Sequence, residues 1–278
     1  MTAKARSIVV TGCSSGIGRD AAFALRRRDW RVFATCRSAS DCRELETEGF
    51  ESLVIDYEDE NSIEAATGTI LERTGGTIDA LFNNGAYAVP GAVEDLPRDA
   101  MRAIFEANVF GYLDLTNRLL PAMRRQGHGR IVNCSSVLGF TALPFRGAYV
   151  STKFALEGLT DTLRMELRGT PIRVVLIEPG PITTEIRRNS RSHFEKWIKW
   201  EDSALRDKYE SRFIPALYDD SPSRDPGELP PSFVTAKLIH ALESPNPRPR
   251  YLVTTPTYIC AAIKRLLPTR ASDRILGR

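Results

Sequence analysis

The sequence predicts a single α/β domain built on a doubly wound parallel sheet with helices on both faces. Three observations lead to this fold class. Short β-branched runs alternate with longer segments of helical composition, which is typical of parallel strands joined by crossover helices. The runs are almost wholly apolar, as expected for strands buried on both faces. The length of 278 residues exceeds an average domain but suits one large α/β domain with decorations.

The predicted elements follow one another in a regular order. Seven segments are predicted as strands: SIVVT, RVFATC, SLVID, IDALFNN, RIVNCSS, IRVVLIEP and RYLVT. The longest predicted helices span 98–126 and 147–168. After the sixth strand the alternation ends, and aromatic residues at roughly helical spacing precede a proline-rich loop. We therefore interpret the single domain 1–278 as carrying an insertion at about 185–232 and a basic C-terminal tail at about 245–278.

Composition and charge indicate no special partner. The formal charge is +3, and the hydrophobic content of 42 % and charged content of 26 % are close to globular averages, so nucleic acid is not expected to bind. The three histidines lie far apart and the five cysteines form no C-x-x-C, so we expect neither a metal site nor a disulfide framework. Free thiols and apolar runs too short for a signal peptide or a membrane span predict a cytoplasmic protein.

The C-terminal tail is more basic than the rest of the chain. It carries seven basic residues against one acidic residue, Asp273. We interpret it as a solvated face or an oligomer contact, and contact with an anionic membrane surface is the alternative.

A tyrosine and a lysine share one face of the second long helix. Tyr149 and Lys153 are separated by four positions, which brings their side chains together on a helix. An ammonium group beside a phenol is expected to lower the pKa of the phenol from about 10, which would make it a usable acid at neutral pH. An isolated pair of this kind also occurs as a solvated surface pair.

The first predicted strand ends in a glycine-rich turn that leads into a helix. The turn reads Thr11-Gly12-Cys13-Ser14-Ser15-Gly16-Ile17-Gly18. Glycines at such a junction permit a tight turn and let the N–H groups of the helix N-terminus approach a pyrophosphate. The spacing G-x-x-x-G-x-G differs from G-x-G-x-x-G, so glycines that serve packing alone are the alternative. The order of strand, turn and helix favours a dinucleotide site.

Taken together, the motifs resemble those of the short-chain dehydrogenase/reductase family. The glycine-rich turn is followed, in the order of the family and within residues 6–185, by Asn83-Asn84-Gly85-Ala86, Asn108, Ser136, Tyr149-x-x-x-Lys153 and Pro179-Gly180. Their joint occurrence is far more specific than any one motif. The resemblance implies a Rossmann-type oxidoreductase that transfers a hydride between a nicotinamide cofactor and a carbonyl or alcohol.

The resemblance implies roles for four catalytic residues. Tyr149 would be the general acid that protonates the carbonyl, or the base in the reverse direction. Lys153 would lower the pKa of that phenol and bind the ribose hydroxyls of the cofactor. Ser136 would hydrogen-bond the carbonyl oxygen. Asn108 would hold a water that links Lys153 to solvent, and an asparagine packed at a bend of the helix is the alternative.

The resemblance also implies a cofactor-binding set. Its members are Gly12, Ser14, Ser15, Gly16, Ile17, Gly18, Arg37, Asp56, Asn83, Gly85, Tyr149, Lys153, Pro179, Gly180, Ile182 and Thr184. Asp56 resembles the acid that contacts adenine, and Asn83 would lie beneath the adenine side. Ile182 and Thr184 resemble the residues that bind the nicotinamide carboxamide. The chain departs from the family at Gly85-Ala86, where Ala-Gly is usual.

NADP(H) is the predicted cofactor. An NAD enzyme places a carboxylate at the end of the second strand, whereas this chain has Cys36 and then Arg37. An arginine at this point can pair with the 2′-phosphate of NADP. The second basic residue that many NADP enzymes carry in the glycine-rich turn is Ser15 here.

The substrate class is read from shorter stretches. TGCSSGIG, ATCR and KFALEGL are similar to hydroxysteroid and retinol dehydrogenases, while LLPAM, RMELR, IEPGPI and KRLLPTR are similar to bacterial NADP-dependent aldehyde reductases. We favour an NADPH-dependent reductase of an apolar aldehyde or ketone over a hydroxysteroid or retinol dehydrogenase, and both over a non-catalytic NADPH-binding regulator. The aromatic insertion either covers an apolar substrate or only packs on the body. The resemblance suggests a homodimer or homotetramer formed through helices 98–126 and 147–168.

Overall fold

The protein, described here for residues 5–220 and 225–276 from a computed structural model, is organised around one seven-stranded parallel sheet. The strands are β1 (Ser7–Thr11), β2 (Arg31–Cys36), β3 (Glu51–Val54), β4 (Ala80–Asn83), β5 (Gly129–Cys134), β6 (Ile172–Pro179) and β7 (Arg250–Val253). The helices are α1 (Gly16–Arg26), α2 (Ala39–Thr47), α3 (Glu60–Thr74), α4 (Arg98–Phe105), α5 (Gly111–Gln126), α6 (Gly147–Glu166), α7 (Ile186–Trp197), α8 (Arg206–Lys208), α9 (Ile214–Leu217), α10 (Ser232–Glu243), α11 (Thr255–Leu266) and α12 (Thr269–Leu276).

The sheet has the order β3-β2-β1-β4-β5-β6-β7, and each neighbouring pair is parallel. The predicted doubly wound fold is thereby confirmed. The order reverses between β1 and β4, so the crossovers leave this point toward opposite edges and open a crevice at the carboxyl ends of the strands. β3 ends at Val54, so Asp56 lies beyond the strand that was predicted to contain it.

Two apolar layers sandwich the sheet. One joins the sheet to α1, α2 and α10, with Leu25 and Leu238 fully buried. The other joins it to α3, α5 and α6, with Ile70 and Leu119 fully buried. Because both faces are covered, the strands are apolar throughout, which explains why they carry no alternating pattern.

The predicted helix 98–126 is interrupted by one wider turn. Residues Glu106–Phe110 form a π-helical turn between α4 and α5. Asn108, in this turn, is fully buried, and its amide accepts from the backbone N–H of Tyr87 at 3.2 Å and donates to the carbonyl of Tyr87 at 2.9 Å. These two bonds tie the turn to the loop after β4. Of the two readings of Asn108 from the sequence, an asparagine packed at a bend of the helix agrees with these contacts of its side chain.

The insertion is mostly helical and packs as a unit. Phe194, Ile198, Tyr209 and Phe213 are all nearly buried and contact the ends of α4 and α6. The Tyr209 hydroxyl accepts from the N–H of Ala92 at 2.7 Å. Residues 221–224 of the predicted insertion lie outside the described residues.

The predicted basic tail contains β7, α11 and α12, and its last two residues, 277–278, lie outside the described part of the chain. Arg250 is only partly solvated, because it pairs with Glu157, Asp161 and Glu178. Its position on β7 places it against α6 and β6.

In the described ranges, no helix has both the length and the apolarity that crossing a bilayer requires.

A buried hydroxyl fastens the loops at the point where the sheet order reverses. Thr11 Oγ1 accepts hydrogen bonds from the Asn84 N–H at 2.8 Å and the Gly85 N–H at 3.1 Å, and it lies 2.8 Å from the Tyr57 hydroxyl. Thr11 is 2 % exposed, so these donors have little access to water if the hydroxyl is removed.

Replacing this hydroxyl should therefore destabilise the fold. Thr11→Val is expected to lower the free energy of unfolding by about 2–4 kcal/mol, because it leaves the N–H groups of Asn84 and Gly85 without this acceptor. Equilibrium unfolding in urea measures the loss. Thr35→Val is the matched control, since Thr35 is the paired residue on β2 and donates a single bond to the Val10 carbonyl. It should lower the free energy by less than about 1 kcal/mol, and equal losses would contradict the assignment.

Candidate active site

Three of the four predicted catalytic residues meet at the carboxyl end of β5. Lys153 is 1 % exposed, and its Nζ donates to the Cys134 carbonyl at 2.8 Å. The same nitrogen lies 5.5 Å from the ring centre of Tyr149, one turn earlier on α6. Ser136 lies two residues after β5, and its interaction with the Tyr149 phenol lowers the pKa of that phenol. The hydroxyl, the phenol and the ammonium are thus close together at the carboxyl edge of the sheet.

Burial has the largest effect on the pKa values of Tyr149 and Lys153. It raises the pKa of Tyr149, with the Cys134 thiol adding to the rise and the bond to Ser136 opposing it. Burial lowers the pKa of Lys153 to about 8, although Cys134 and Glu157 raise it. The expectation that Lys153 lowers the pKa of the phenol does not hold here, because its Nζ is directed at a carbonyl and is itself desolvated.

Asn108 belongs to the same neighbourhood through Thr152. Its Nδ2 lies 3.2 Å from Thr152 Oγ1, next to Lys153 in sequence. No hydrogen bond joins Asn108 to Lys153 directly among the described residues, so its predicted role through a water stays a prediction.

Sequence reasoning missed Tyr112 of α5. This side chain is 1 % exposed, its ring centre lies 5.5 Å from Lys153 Nζ, and its hydroxyl has no partner within the described ranges. Burial raises its pKa, so it remains a neutral phenol. An aromatic residue on the apolar face of a helix gives no signal of such a position in the sequence.

The glycine-rich turn leaves no room for side chains. A Cβ on Gly12, whose φ is 70°, would lie 2.7 Å from Gly85 Cα, and a Cβ on Gly18 would lie 2.2 Å from the Gly12 carbonyl oxygen. Gly85 is therefore the residue of the second loop that lies against Gly12. The unusual order Gly85-Ala86 places the residue without a side chain at this contact. Ser15, the N-cap of α1, makes no capping bond with its side chain. The free N–H groups of the first turn suit a phosphate, so this cradle fits a dinucleotide.

Predicted cofactor residues of the glycine-rich turn and of the segment after β6 lie close to one another, whereas one predicted side chain points elsewhere. Ser14, Ser15, Gly16 and Thr184 line a cavity of about 490 Å³ beside the turn. Thr184 also packs on Gly16, while Ile17 and Ile182 pack against the core beneath. Gly180, after Pro179, donates its N–H to Val253 at 3.0 Å.

The side chain of Asn83 is the exception. It is fully buried, and it donates to Thr116 Oγ1 at 3.1 Å and to Asn133 Oδ1 at 2.9 Å. It also accepts from the Tyr57 hydroxyl at 2.9 Å. The amide is therefore occupied inside the protein, and only the backbone of Asn83 borders the end of β4.

Arg37 is exposed at the carboxyl end of β2, within electrostatic range of a small cluster. The cluster comprises Glu58, the phenol of Tyr87 and His193 of α7, whose ring stacks on Tyr87 with centres 4.0 Å apart. Arg37 lowers the pKa of Glu58, although burial raises it overall. Sequence reasoning missed Glu58, which the fold brings near to Arg37. Asp56, the predicted adenine contact, accepts from the N–H of Glu58 at 3.1 Å.

Comparison with known proteins agrees with the motifs. The family profile described as short chain dehydrogenase matches residues 6–195. The chain is 38 % identical over 276 residues to the uncharacterized oxidoreductase YbbO of Escherichia coli K12, covering 98 % of this chain and 94 % of that protein. It is 30 % identical over 280 residues to retinol dehydrogenase 7 of Rattus norvegicus, covering 97 % and 87 %.

A solved structure is similar over most of the fold. It is a variant of actinorhodin polyketide ketoreductase with NADPH, which superposes with a TM-score of 0.72 at 27 % identity. The alignment covers 89 % of this chain and 95 % of that one. The resemblance drawn from the sequence motifs is thereby confirmed.

The buried ammonium of Lys153 should reduce the stability of the fold. Lys153→Met is expected to raise the free energy of unfolding by about 1–3 kcal/mol at pH 7, because the desolvation that lowers the lysine pKa disappears. Between about pH 8 and about pH 10 the unfolded wild type binds the proton more tightly than the folded one, so wild-type stability rises and the difference shrinks.

Urea unfolding at several pH values measures this difference. Lys208→Met, at an exposed lysine of α8, is the control and should change the free energy of unfolding by less than about 0.5 kcal/mol. A Lys153→Met protein that is less stable than wild type at neutral pH would show that the ammonium stabilises the site.

Proposed function

The chain belongs to the short-chain dehydrogenase family of oxidoreductases, and we propose that it reduces an apolar aldehyde or ketone with NADPH. The observation that carries this proposal is the meeting of Ser136, Tyr149 and Lys153 at the carboxyl edge of the sheet, beside the glycine-rich turn. When bound, a nicotinamide cofactor supplies a hydride to the carbonyl carbon.

The protein side chains would supply the proton and stabilise the developing charge. Tyr149 donates its phenolic proton to the carbonyl oxygen, and its raised pKa keeps that proton in place at neutral pH. The Ser136 hydroxyl donates a hydrogen bond to the same oxygen, on which negative charge develops. Proton and hydride together convert the carbonyl to an alcohol.

Lys153 would act as a cation in this site. A pKa of about 8 leaves most of the amine protonated at neutral pH. The ammonium would bind the ribose hydroxyls and stabilise the phenolate left after proton transfer. As the pH rises past about 8 the ammonium is lost, so activity in the reducing direction should fall on the alkaline side.

The cofactor would lie along the crevice from the glycine-rich turn to Lys153. In this proposal the N-terminus of α1 binds the pyrophosphate, and the residues after β6, from Pro179 to Thr184, hold the nicotinamide end. Arg37 binds the 2′-phosphate. The exposed position of Arg37 at the end of β2 supports NADPH, as does the similar ketoreductase structure with NADPH.

The insertion would cover an apolar substrate within the same single domain. Its aromatic cluster includes Trp197 and packs against Tyr149, so packing on the body and covering the site are compatible.

Retinol dehydrogenase activity is the second candidate, and the similarity to rat retinol dehydrogenase 7 over nearly the whole chain favours it.

We also propose that the protein is a homodimer or homotetramer through α5, α6 and the π-helical turn between α4 and α5. These elements expose large apolar side chains: Phe110, Leu113, Phe154, Leu159 and Met165. Apolar side chains on adjacent helices are typical of a protein interface.

The test of the proposed function is consumption of NADPH by the purified protein. Short and long aldehydes, ketosteroids and retinal serve as the substrates. Turnover of apolar aldehydes or ketones supports the proposal, and preferred turnover of retinal supports the second candidate. Binding of NADPH without single-turnover hydride transfer to any of these compounds would contradict both.

Removing the phenolic proton should stop turnover without affecting cofactor binding. Tyr149→Phe is expected to lower kcat by at least about 100-fold and to leave the Kd for NADPH unchanged, because the ring remains and only the acid is lost. Tyr112→Phe is the matched control, since its hydroxyl is also buried and has no partner in the described ranges. It should keep most of the wild-type kcat. A Tyr149→Phe enzyme with near-normal kcat would refute the mechanism.

Arg37 should set the choice of cofactor. Arg37→Ala is expected to weaken NADPH binding by about ten- to a hundred-fold and to leave NADH nearly unchanged, because a charge-assisted hydrogen bond to the 2′-phosphate is lost. Glu58→Gln should change the ratio in the opposite direction by removing a nearby negative charge. The ratio of kcat/KM for NADPH to that for NADH, with one aldehyde, measures both.

Arg168→Ala, at an exposed arginine after α6, controls for a general loss of positive charge and should leave the ratio in place. A wild-type preference for NADH would mean that NADPH is the wrong cofactor. A ratio that Arg37→Ala does not change would mean that Arg37 does not bind the 2′-phosphate.

Trp197 should matter most for long substrates. Trp197→Ala is expected to lower kcat/KM for a long-chain aldehyde by about tenfold, because apolar contact area is lost, and to affect a short aldehyde less. A series of aldehydes of increasing length provides the measurement and its internal control. Equal losses at all lengths, or no loss, would indicate that the insertion only packs on the body.

A further inference from the structure

Two buried carboxyl groups face each other behind the active-site lysine. Glu157 lies on α6, one helical turn after Lys153, and Glu178 lies on β6 directly before Pro179. Their exposed fractions are 7 % and 1 %. Carboxylates buried to this extent need a cation or a proton, because an isolated charge in a protein interior is strongly unfavourable.

The two carboxyl groups share one guanidinium nitrogen. Arg250 Nη1 donates to Glu157 Oε2 and, at 2.5 Å, to Glu178 Oε1, while Nη2 donates to Asp161 at 2.5 Å. The other oxygens, Glu157 Oε1 and Glu178 Oε2, are buried and have no hydrogen-bond partner within the described ranges. Three carboxyl groups therefore contact Arg250, and of these Asp161 also pairs with Arg164. Two oxygens of the Glu157–Glu178 pair remain without a donor in the described ranges.

The surrounding elements supply one nearby hydroxyl, and in the described ranges no cation other than Arg250 contacts Glu157 or Glu178. A Cβ on Gly139 would lie 2.4 Å from Ser135 Oγ and 2.7 Å from Glu157 Oε1. Because glycine has no Cβ, the hydroxyl and the carboxyl oxygen can both lie beside the backbone at this point. Ser135 Oγ is itself buried without a partner. On α6, Lys153 directs its ammonium to the Cys134 carbonyl of β5 rather than to a carboxylate.

We propose that Glu157 and Glu178 hold one proton between them at neutral pH, and that Glu157 acts through Lys153 as a positioning residue of the active site. A shared proton supplies the donor that the two carboxyl groups lack. It also reduces the charge of the pair to one that a single guanidinium balances. The role toward Lys153 rests on the proposed function, whereas the shared proton does not.

The electrostatics of the pair agree with this arrangement. Burial and then the charge of Glu157 raise the pKa of Glu178 to about 7, against the opposing effect of Arg250. The charge of Glu157 also raises the pKa of Lys153, which burial lowers. Without that charge, Lys153 would lose its proton at a lower pH and would bind the ribose and stabilise the phenolate over a narrower range.

The first experiment detects the shared proton without cofactor or substrate. Infrared difference spectra of protein labelled with ¹³C in the glutamate carboxyl groups are recorded between about pH 6 and about pH 9. In wild type we expect the band of a protonated glutamate that disappears as the pH rises through about 7. Glu157→Gln and Glu178→Gln should each abolish it, because a single carboxylate beside Arg250 is ionised throughout. Absence of the band in wild type, or its persistence in both variants, would overturn the shared proton.

Asp161→Asn is the matched control for both experiments. Asp161 also pairs with Arg250 and lies one turn beyond Glu157 on α6, but it does not perturb the pKa of Lys153. Its variant should keep the infrared band. Melting curves identify any variant that does not fold, and the wild-type spectrum tests the shared proton even then.

The second experiment reads the effect on Lys153. In the reducing direction, the alkaline limb of the pH profile of kcat should shift to lower pH by about one unit in Glu157→Gln. It should shift less in Glu178→Gln, where the charge of Glu157 remains, and not at all in Asp161→Asn. A limb that stays in place in Glu157→Gln, with kcat merely reduced, would overturn the positioning role. If no carbonyl compound is reduced, the proposed function fails, while the infrared result still decides on the shared proton.

Discussion

The contact between two loops at the reversal point of the sheet is the constraint on which the site depends. The backbones of Gly12 and Gly85 approach so closely that neither α1 nor the loop after β4 could take its position with a side chain on Gly12. The hydroxyl of Thr11 holds the second loop through two of its N–H groups. This contact fixes the direction of the α1 N-terminus. It therefore also fixes where the N–H groups that suit a phosphate point.

A second constraint is the burial of charge beneath the site. Lys153 is a desolvated ammonium that one carbonyl and the field of Glu157 stabilise in part. Arg250 binds three carboxyl groups from α6 and β6, so the helix that carries Tyr149 and Lys153 is attached to the sheet through ion pairs as well as apolar contacts. Such networks are sensitive to the loss of any one member, since the remaining charges stay buried.

The aromatic insertion illustrates what a sequence pattern leaves open. The spacing of Phe194, Tyr209 and Phe213 predicts helices with an apolar face, and the structure has such helices. The pattern could not say what that face covers, because periodicity describes one element at a time. In the structure the cluster packs against Tyr149, so the same side chains that stabilise the insertion also border the site.

The sequence by itself determined the strand order along the chain, the parallel sheet and the proximity of Tyr149 and Lys153, because apolar runs, glycine turns and an i, i+4 pair are local signals. Only the tertiary structure decided that the Asn83 side chain turns inward, that Glu58 comes close to Arg37 and that Arg250 of the basic tail pairs with carboxyl groups of α6 and β6. It also decided that burial, and not Lys153, has the largest effect on the pKa of Tyr149. These facts depend on side chains far apart in sequence and on the exclusion of water, and neither is encoded in the spacing of residues along one element.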